Sequence, residues 1–336
     1  MNRERYEKIS AGFAKIRVLV IGDLILDQFV WGRVSRISPE APVPVVEVDR
    51  ETQYPGGAAN VARNLREFTP HTAVMGMIGA DPAADTLKRL LADEGIQIDG
   101  VQQDSGYSTI VKTRVIARHQ QLVRVDREKK LHATQAQFDR ALACLEGMLP
   151  SLDAVIVEDY GKGLVQQGFA DAITERVRKA GCVLAIDPNP HNPLAWHGAS
   201  VMKPNRPEAF AVAGRPHGEP VDPAESDAAL CEVGQLLLEK WSCETLLITL
   251  GEQGMMLFRP GEAPYHTPTR AKEVFDVSGA GDTAIGLFTL ALAAGASAAE
   301  AAEISNHASG IVVGKLGTAT VSPAELLRSF SRPEAQ

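Results

Sequence analysis

The stretch Arg17-Val18-Leu19-Val20-Ile21-Gly22-Asp23 decides the fold. It is a short, unbroken aliphatic run that closes on Gly-Asp, the pattern of a strand buried on both faces whose carboxyl end opens into a site. Apolar runs of strand length recur at 74–78, 154–157, 183–186, 200–202 and 245–249. Between them, residues 58–67, 83–94, 135–149, 168–180, 207–213 and 228–240 have helical length and apolar spacing, several with a glycine stop. Strands alternating with helices predict an α/β fold: a mainly parallel sheet with helices on both faces and ligands at the carboxyl ends of the strands. The chain of 336 residues is read as a single domain spanning 1–336.

Two segments break the rhythm, at about 29–48 and 107–125. Both mix polar and apolar residues in extended patterns, and Pro39, Pro42 and Pro44 forbid helix in the first. They are expected to form a small β lid over the site. Exposed lid strands need covering, so a homodimer through the lid is expected.

Composition excludes several classes of function. A net charge of −8 argues against general nucleic-acid or anionic-membrane binding, and no apolar run free of glycine and charge is long enough to span a bilayer. Cys144, Cys182, Cys231 and Cys243 lack Cys-x-x-Cys spacing and read as reduced thiols, and the eight histidines lack metal-ligand spacing. The first 17 residues are charged, with no signal-peptide apolar region, so the expected location is the cytoplasm.

The chemistry concentrates in Asp276-Val277-Ser278-Gly279-Ala280-Gly281-Asp282-Thr283, directly ahead of an apolar helix expected over 284–294. Backbone N–H groups of Gly279, Ala280 and Gly281 at a helix N-terminus suit an anion such as a phosphoryl group. Asp282 behind them is placed to take a proton from an attacking hydroxyl. A second glycine-rich element, Pro55-Gly56-Gly57-Ala58-Ala59-Asn60, opens another helix; its small residues admit a substrate or simply make a tight turn, and Asn60 can bond a sugar hydroxyl. Asp23 and Asp27 suit polyol hydroxyls or a capped turn. Neither Gly-x-Gly-x-x-Gly nor a Walker A sequence follows the first strand, which disfavours dinucleotide and P-loop folds.

Gly56 to Asn60 together with Asp276 to Asp282, in that order and separation, resemble the two signatures of the ribokinase-like (PfkB) carbohydrate kinases. The resemblance extends over essentially the whole chain. It includes Thr249-Leu250-Gly251-Glu252-Gln253-Gly254, similar to the family's nucleotide-binding strand and turn, and Asn205-Arg206-Pro207-Glu208, similar to its Asn-x-x-Glu element. Leu287 departs from the small residue many members carry after the anion hole. The strings at 35–45, Glu158-Asp159-Tyr160-Gly161-Lys162-Gly163 and 313–318 look closer to one branch, the D-glycero-β-D-manno-heptose 7-phosphate kinases, in a form without the fused nucleotidyltransferase.

The resemblance implies ATP as co-substrate, with Asn205, Arg206, Pro207, Glu208, Thr249, Gly251, Gly254 and Asn306 on the nucleotide side. It implies Mg²⁺ near Glu208, held through water. Asp282 then activates the C1 hydroxyl of the sugar phosphate. Substrate contacts fall to Asp23, Asp27, Gly56, Gly57, Asn60, Glu158, Tyr160, Asp187 and a set of cations. Of these, Lys112, Arg114, Arg118 and Arg124 lie in the lid and share one face if no bulge intervenes, while Lys162 and Lys203 follow main-sheet strands; Arg114 is the first choice for the phosphate. The alternatives are another kinase of the family or a catalytically silent sugar or nucleotide sensor.

Overall fold

The computed structural model describes residues 1–118, 120–130, 132–271 and 273–331. The strands are β1 (Val18–Gly22), β2 (Leu24–Ile37), β3 (Pro44–Gly57), β4 (Thr72–Gly79), β5 (Gln97–Asp104), β6 (Ile110–Ala117), β7 (Gln120–Arg127), β8 (Ala154–Glu158), β9 (Val183–Asp187), β10 (Val201–Met202), β11 (Thr245–Thr249), β12 (Met255–Phe258) and β13 (Tyr265–Thr267). The helices are α1 (Arg3–Ser10), α2 (Ala58–Arg66), α3 (Pro82–Asp93), α4 (Gln135–Met148), α5 (Gln167–Ala180), α6 (Arg206–Ala213), α7 (Ala228–Trp241), α8 (Ala280–Ala293), α9 (Ala298–Val312) and α10 (Pro323–Ser329).

Nine strands form one sheet in the order β13-β12-β11-β10-β9-β8-β1-β4-β5, parallel from β11 to β5, with β12 and β13 added antiparallel at one edge. Period-two alternation divides the apolar side chains between two cores. Val18, Val20, Val74 and Ile156 face α2, α3, α8 and α9, whereas Leu19, Ile21, Met75 and Val157 face α4, α5, α6 and α7. Each central strand therefore reads as an unbroken apolar run, as a sheet covered on both faces requires.

The second sheet has the order β3-β2-β6-β7 and forms the lid. Its arms are longer than the sequence suggests. β2 begins at Leu24, immediately beyond the end of β1, and β3 runs to Gly57 and passes straight into α2. The hydrophobic start of β2 continues that of β1 without punctuation, which hides the point where the chain leaves one sheet for the other. The second lid segment likewise starts its strand at Ile110 and extends through β7 to Arg127.

Candidate active site

The carboxyl ends of β1, β8, β9, β10 and β11 converge, and the residues at or just past them are Asp23, Glu158, Asp187, Lys203 and Thr249. Helix α8 begins at Ala280, one turn earlier than expected from the apolar run, with Gly279 as its N-cap at φ 80°. Asp282 thus lies inside the first helical turn, where its charge is favoured by the helix dipole. The earlier start also changes the donor set, because the Ala280 N–H already leans toward the Val277 carbonyl at 3.3 Å. A Cβ on Gly279 would sit 2.8 Å from Asn60 Nδ2, so glycine is required for the left-handed turn and for the approach of Asn60.

Asp282 is the hub. Asn60 Nδ2 donates to its Oδ2 at 2.7 Å, and the Tyr160 hydroxyl donates to its Oδ1 at 2.9 Å. Burial pushes the Asp282 carboxyl up, opposed by these two donors and by Lys203. Helix α2 is fixed to α8 by a further bond, Thr283 Oγ1 to Asn64 Oδ1 at 2.9 Å, and Leu287 is fully buried in the core beside them.

A group of carboxylates stands beside the hub. Lys203 Nζ pairs with Asp187 Oδ2 at 2.8 Å. Burial works against the Lys203 ammonium, but Asp187 and Glu158 outweigh it and hold it above the ordinary lysine range. Burial pushes Asp187 up to about 7 despite Lys203, and the fully buried Glu158 carboxyl stands far above its usual range, with its Oε1 left without a hydrogen-bond partner. Glu158, Tyr160, Asp187, Lys203, Asn205, Arg206, Pro207 and Glu208 all line one cavity of about 550 Å³. Asn205 and Glu208 form a capping box at the start of α6, each side chain accepting from the other's backbone N–H at 2.9 and 2.8 Å. The Arg206 guanidinium is paired with Asp227 at 2.7 Å and lies over the Phe210 ring.

Thr249, Gly251 and Gly281 also line a second cavity of about 470 Å³, walled by Met255, Val274, Ala280, Ala284 and Val313 and reached by Gly254 and Asn306. Asn306 Nδ2 donates to Thr267 Oγ1 at 2.8 Å and to the Pro268 carbonyl at 2.6 Å, pinning the end of β13 to α9. The contribution of α9 through Ser309, Gly310 and Val313 is absent from the sequence reading. Its signal is the Ser297-Ala298-Ala299-Glu300 capping box that starts the helix.

On the lid side, Gly56 and Gly57 make room for the two aspartates. A Cβ on Gly56 would lie 2.2 Å from Asp27 Oδ2, and one on Gly57, at φ 60°, 2.5 Å from the Asp23 carbonyl oxygen. Asp23 Oδ2 accepts from the backbone N–H groups of Tyr160 and Lys162, both at 3.1 Å, so this carboxylate builds the 159–163 turn. Burial pushes it up to about 6 against those donors.

The four lid cations do not share one face. A register shift between Val115 and Ile116 and a left-handed Arg118 at φ 57° place Arg118 in the exposed hairpin turn. Arg114 is ion-paired with Asp27, Arg124 is doubly bonded to Asp126 at 2.9 Å, and Lys162 pairs with Glu128 at 2.8 Å. Lys112 differs: among the described residues it has no ion pair, and its ammonium lies 5.4 Å from the centre of the Tyr160 ring. Burial pulls it below the ordinary lysine range, with Lys162 and Arg124 adding repulsion and Asp27 and Asp126 offsetting them.

Comparisons with known proteins agree with this architecture. The family model described as pfkB family carbohydrate kinase matches residues 15–325. The bifunctional protein HldE of Desulfatibacillum aliphaticivorans is 43% identical over 314 residues, 94% of this chain and 63% of that protein. The HldE of Erwinia tasmaniensis is 41% identical over 324 residues, 96% of this chain and 65% of that one. The chain therefore spans somewhat less than two thirds of these relatives. Phosphofructokinase-2 from Escherichia coli in complex with substrates and products superposes with a TM-score of 0.75 at 19% identity, covering 94% of this chain and 99% of that one. Ribokinase from Arabidopsis thaliana complexed with ribose and ATP gives 0.69 at 17% identity, covering 95% and 99%. A nine-stranded ribokinase-like body, a four-stranded lid and a carboxylate at a glycine-capped helix start thus accompany a family match over nearly the whole chain: it belongs to the pfkB family carbohydrate kinases, phosphotransferases that act on a sugar hydroxyl.

Proposed function

We propose that this chain transfers the γ-phosphoryl group of ATP to the C1 hydroxyl of D-glycero-β-D-manno-heptose 7-phosphate, giving the 1,7-bisphosphate for lipopolysaccharide core synthesis. The observation that carries this reading is the juxtaposition of two features across one tyrosine. Asp282 accepts from the Tyr160 hydroxyl, and Lys112, a half-buried cation without an ion pair among the described residues, lies over the same ring. A base and an anchor for a phosphate therefore meet the same tyrosine, one at its hydroxyl and the other over its ring. The branch-specific strings at 35–45, 158–163 and 313–318 and the HldE relatives favour heptose 7-phosphate as the sugar.

Asp282 is the general base. It takes the hydroxyl proton as the sugar oxygen attacks the γ-phosphorus in line, and the electron pair of the broken phosphorus–oxygen bond leaves with ADP. Donors at the start of α8, with Gly279, Ala280 and Gly281 shaping the turn, stabilise the transferred group. The adenine side of ATP occupies the apolar cavity bounded by Thr249, Gly251, Gly254 and Asn306. Mg²⁺ fits the oxygen-only donor set of Glu208, Asp187 and Asn205. These groups would hold it through water, since Mg²⁺ keeps much of its hydration, and bound there it would neutralise phosphate charge.

ADP release across a panel of sugars and sugar phosphates tests the assignment. Heptose 7-phosphate is expected to give the highest kcat/KM, and a preference for an unphosphorylated sugar would overturn it. The lid also supports a homodimer. Val123 and Val125 are about half exposed and lie in register with Val115 and Thr113 on a face opposite to Lys112 and Arg114, an apolar strip that a second copy would cover. Sedimentation is expected to give twice the chain mass; a monomer at working concentration would refute the dimer.

A further inference from the structure

We propose that Tyr160 is a positioning residue whose hydroxyl fixes the Asp282 carboxylate in the orientation in which it accepts the sugar's proton. This rests on Asp282 being the base, as proposed above. Asp282 receives one hydrogen bond on each oxygen, from donors on separate elements: Asn60 on α2 at 2.7 Å and Tyr160 on the turn after β8 at 2.9 Å. Two donors at opposite oxygens set the plane of a carboxylate more tightly than either alone. The other contacts of Tyr160 suit the same task. Its backbone N–H is tied to Asp23 Oδ2 at 3.1 Å, Gly161 turns the chain directly after it at φ 69°, and its ring lies under the Lys112 ammonium.

The charges around Asp282 make the hydroxyl consequential. Lys203 faces it from beyond β10, and the acidic Asp27 from the lid, Glu158 from β8 and Asp187 from β9 face it as well. Burial also disfavours the ionised form. The hydrogen bonds from Asn60 and Tyr160 act in the opposite direction and favour the ionised carboxylate. The phenol itself is held well above its ordinary range by burial and by Asp282, Glu158 and Asp187, so it remains a donor and passes no proton. In the reaction the hydroxyl proton goes to an Asp282 oxygen, the sugar oxygen bonds the γ-phosphorus, and the β,γ-bridging oxygen leaves with its electron pair on ADP. Tyr160 donates throughout.

The test uses Tyr160→Phe, which keeps the ring and its contact with Lys112 and removes only the hydroxyl. The protein is labelled with ¹³C at aspartate carboxyls, the Asp282 resonance is identified by its loss in Asp282→Asn, and both forms are titrated without substrates. Losing a hydrogen bond to a charged group is expected to move the Asp282 midpoint up by about one to two pH units. The acidic limb of kcat for heptose 7-phosphate should move the same way, with KM little changed. A purely structural role for Tyr160 would leave the midpoint where it is, and that result would overturn the proposal. Normal turnover by Asp282→Asn would instead overturn the assignment of the base, so the two failures are distinguishable.

Discussion

Replacing Asp282 by asparagine is expected to lower turnover by at least about 100-fold, the usual contribution of a positioned general base, while ATP affinity changes little. Asparagine preserves the shape at the start of α8 but cannot accept the hydroxyl proton. One of the two donors that converge on Asp282, Asn60 Nδ2 or the Tyr160 hydroxyl, would also face an NH₂ group in place of an oxygen. The nucleotide cavity is lined by other residues and not by Asp282, so nucleotide binding should survive. Coupled ADP release at saturating substrates, with ATP affinity measured separately by calorimetry, separates the two quantities. Near-normal turnover would remove Asp282 from the role of base.

The second large effect is expected at Lys112. Lys112→Met keeps most of the stem and its packing on Tyr160 but removes the charge. A hydrogen bond to a charged group contributes about 1.5–3 kcal/mol, so KM for the sugar phosphate should rise by roughly 10- to 150-fold. The same change should have little effect with the corresponding unphosphorylated sugar, because no phosphate is there to lose its partner. An unchanged KM for the sugar phosphate would exclude Lys112 from the clamp. Arg114, the first choice from sequence, is a weaker candidate because its guanidinium already bonds Asp27 and covers the Phe29 ring.

The choice between Lys112 and Arg114 lies beyond local sequence. The basic residues of the lid were visible as residues, but which of them retains a free charge depends on register across β2 and β6. Asp27 stands opposite Lys112 and Phe29 opposite Arg114, yet the Asp27 carboxylate reaches diagonally to Arg114. No local pattern encodes that choice. The central strands were legible because strands buried on both faces are apolar throughout, whereas β5, Gln97–Asp104, is a polar edge strand without such a run. Helix α9 was missed for a different reason: its buried face holds Ile304 and Val312 but otherwise mostly small residues, among them Ala301, Ala302, Ser305 and Ala308, that dilute the hydrophobic contrast. Within the site, the glycine turn announced Asp282. Its contacts with Asn60 and Tyr160 span 222 and 122 residues of chain and become visible only once α2, α8 and the turn after β8 have packed.

The two long arms of the lid have a mechanical consequence. One arm springs from β1 at Leu24, and the other runs through Gly57 directly into α2, the helix that carries Asn60. No slack loop separates the hairpin from the machinery it covers. The hairpin is built like a lever: its two long arms reach from the body to the tip at 38–43, and β3 ends three residues from the amide that bonds Asp282. A displacement of the tip at 38–43 would therefore be carried along unbroken strand toward the seat of the base rather than absorbed in a loop.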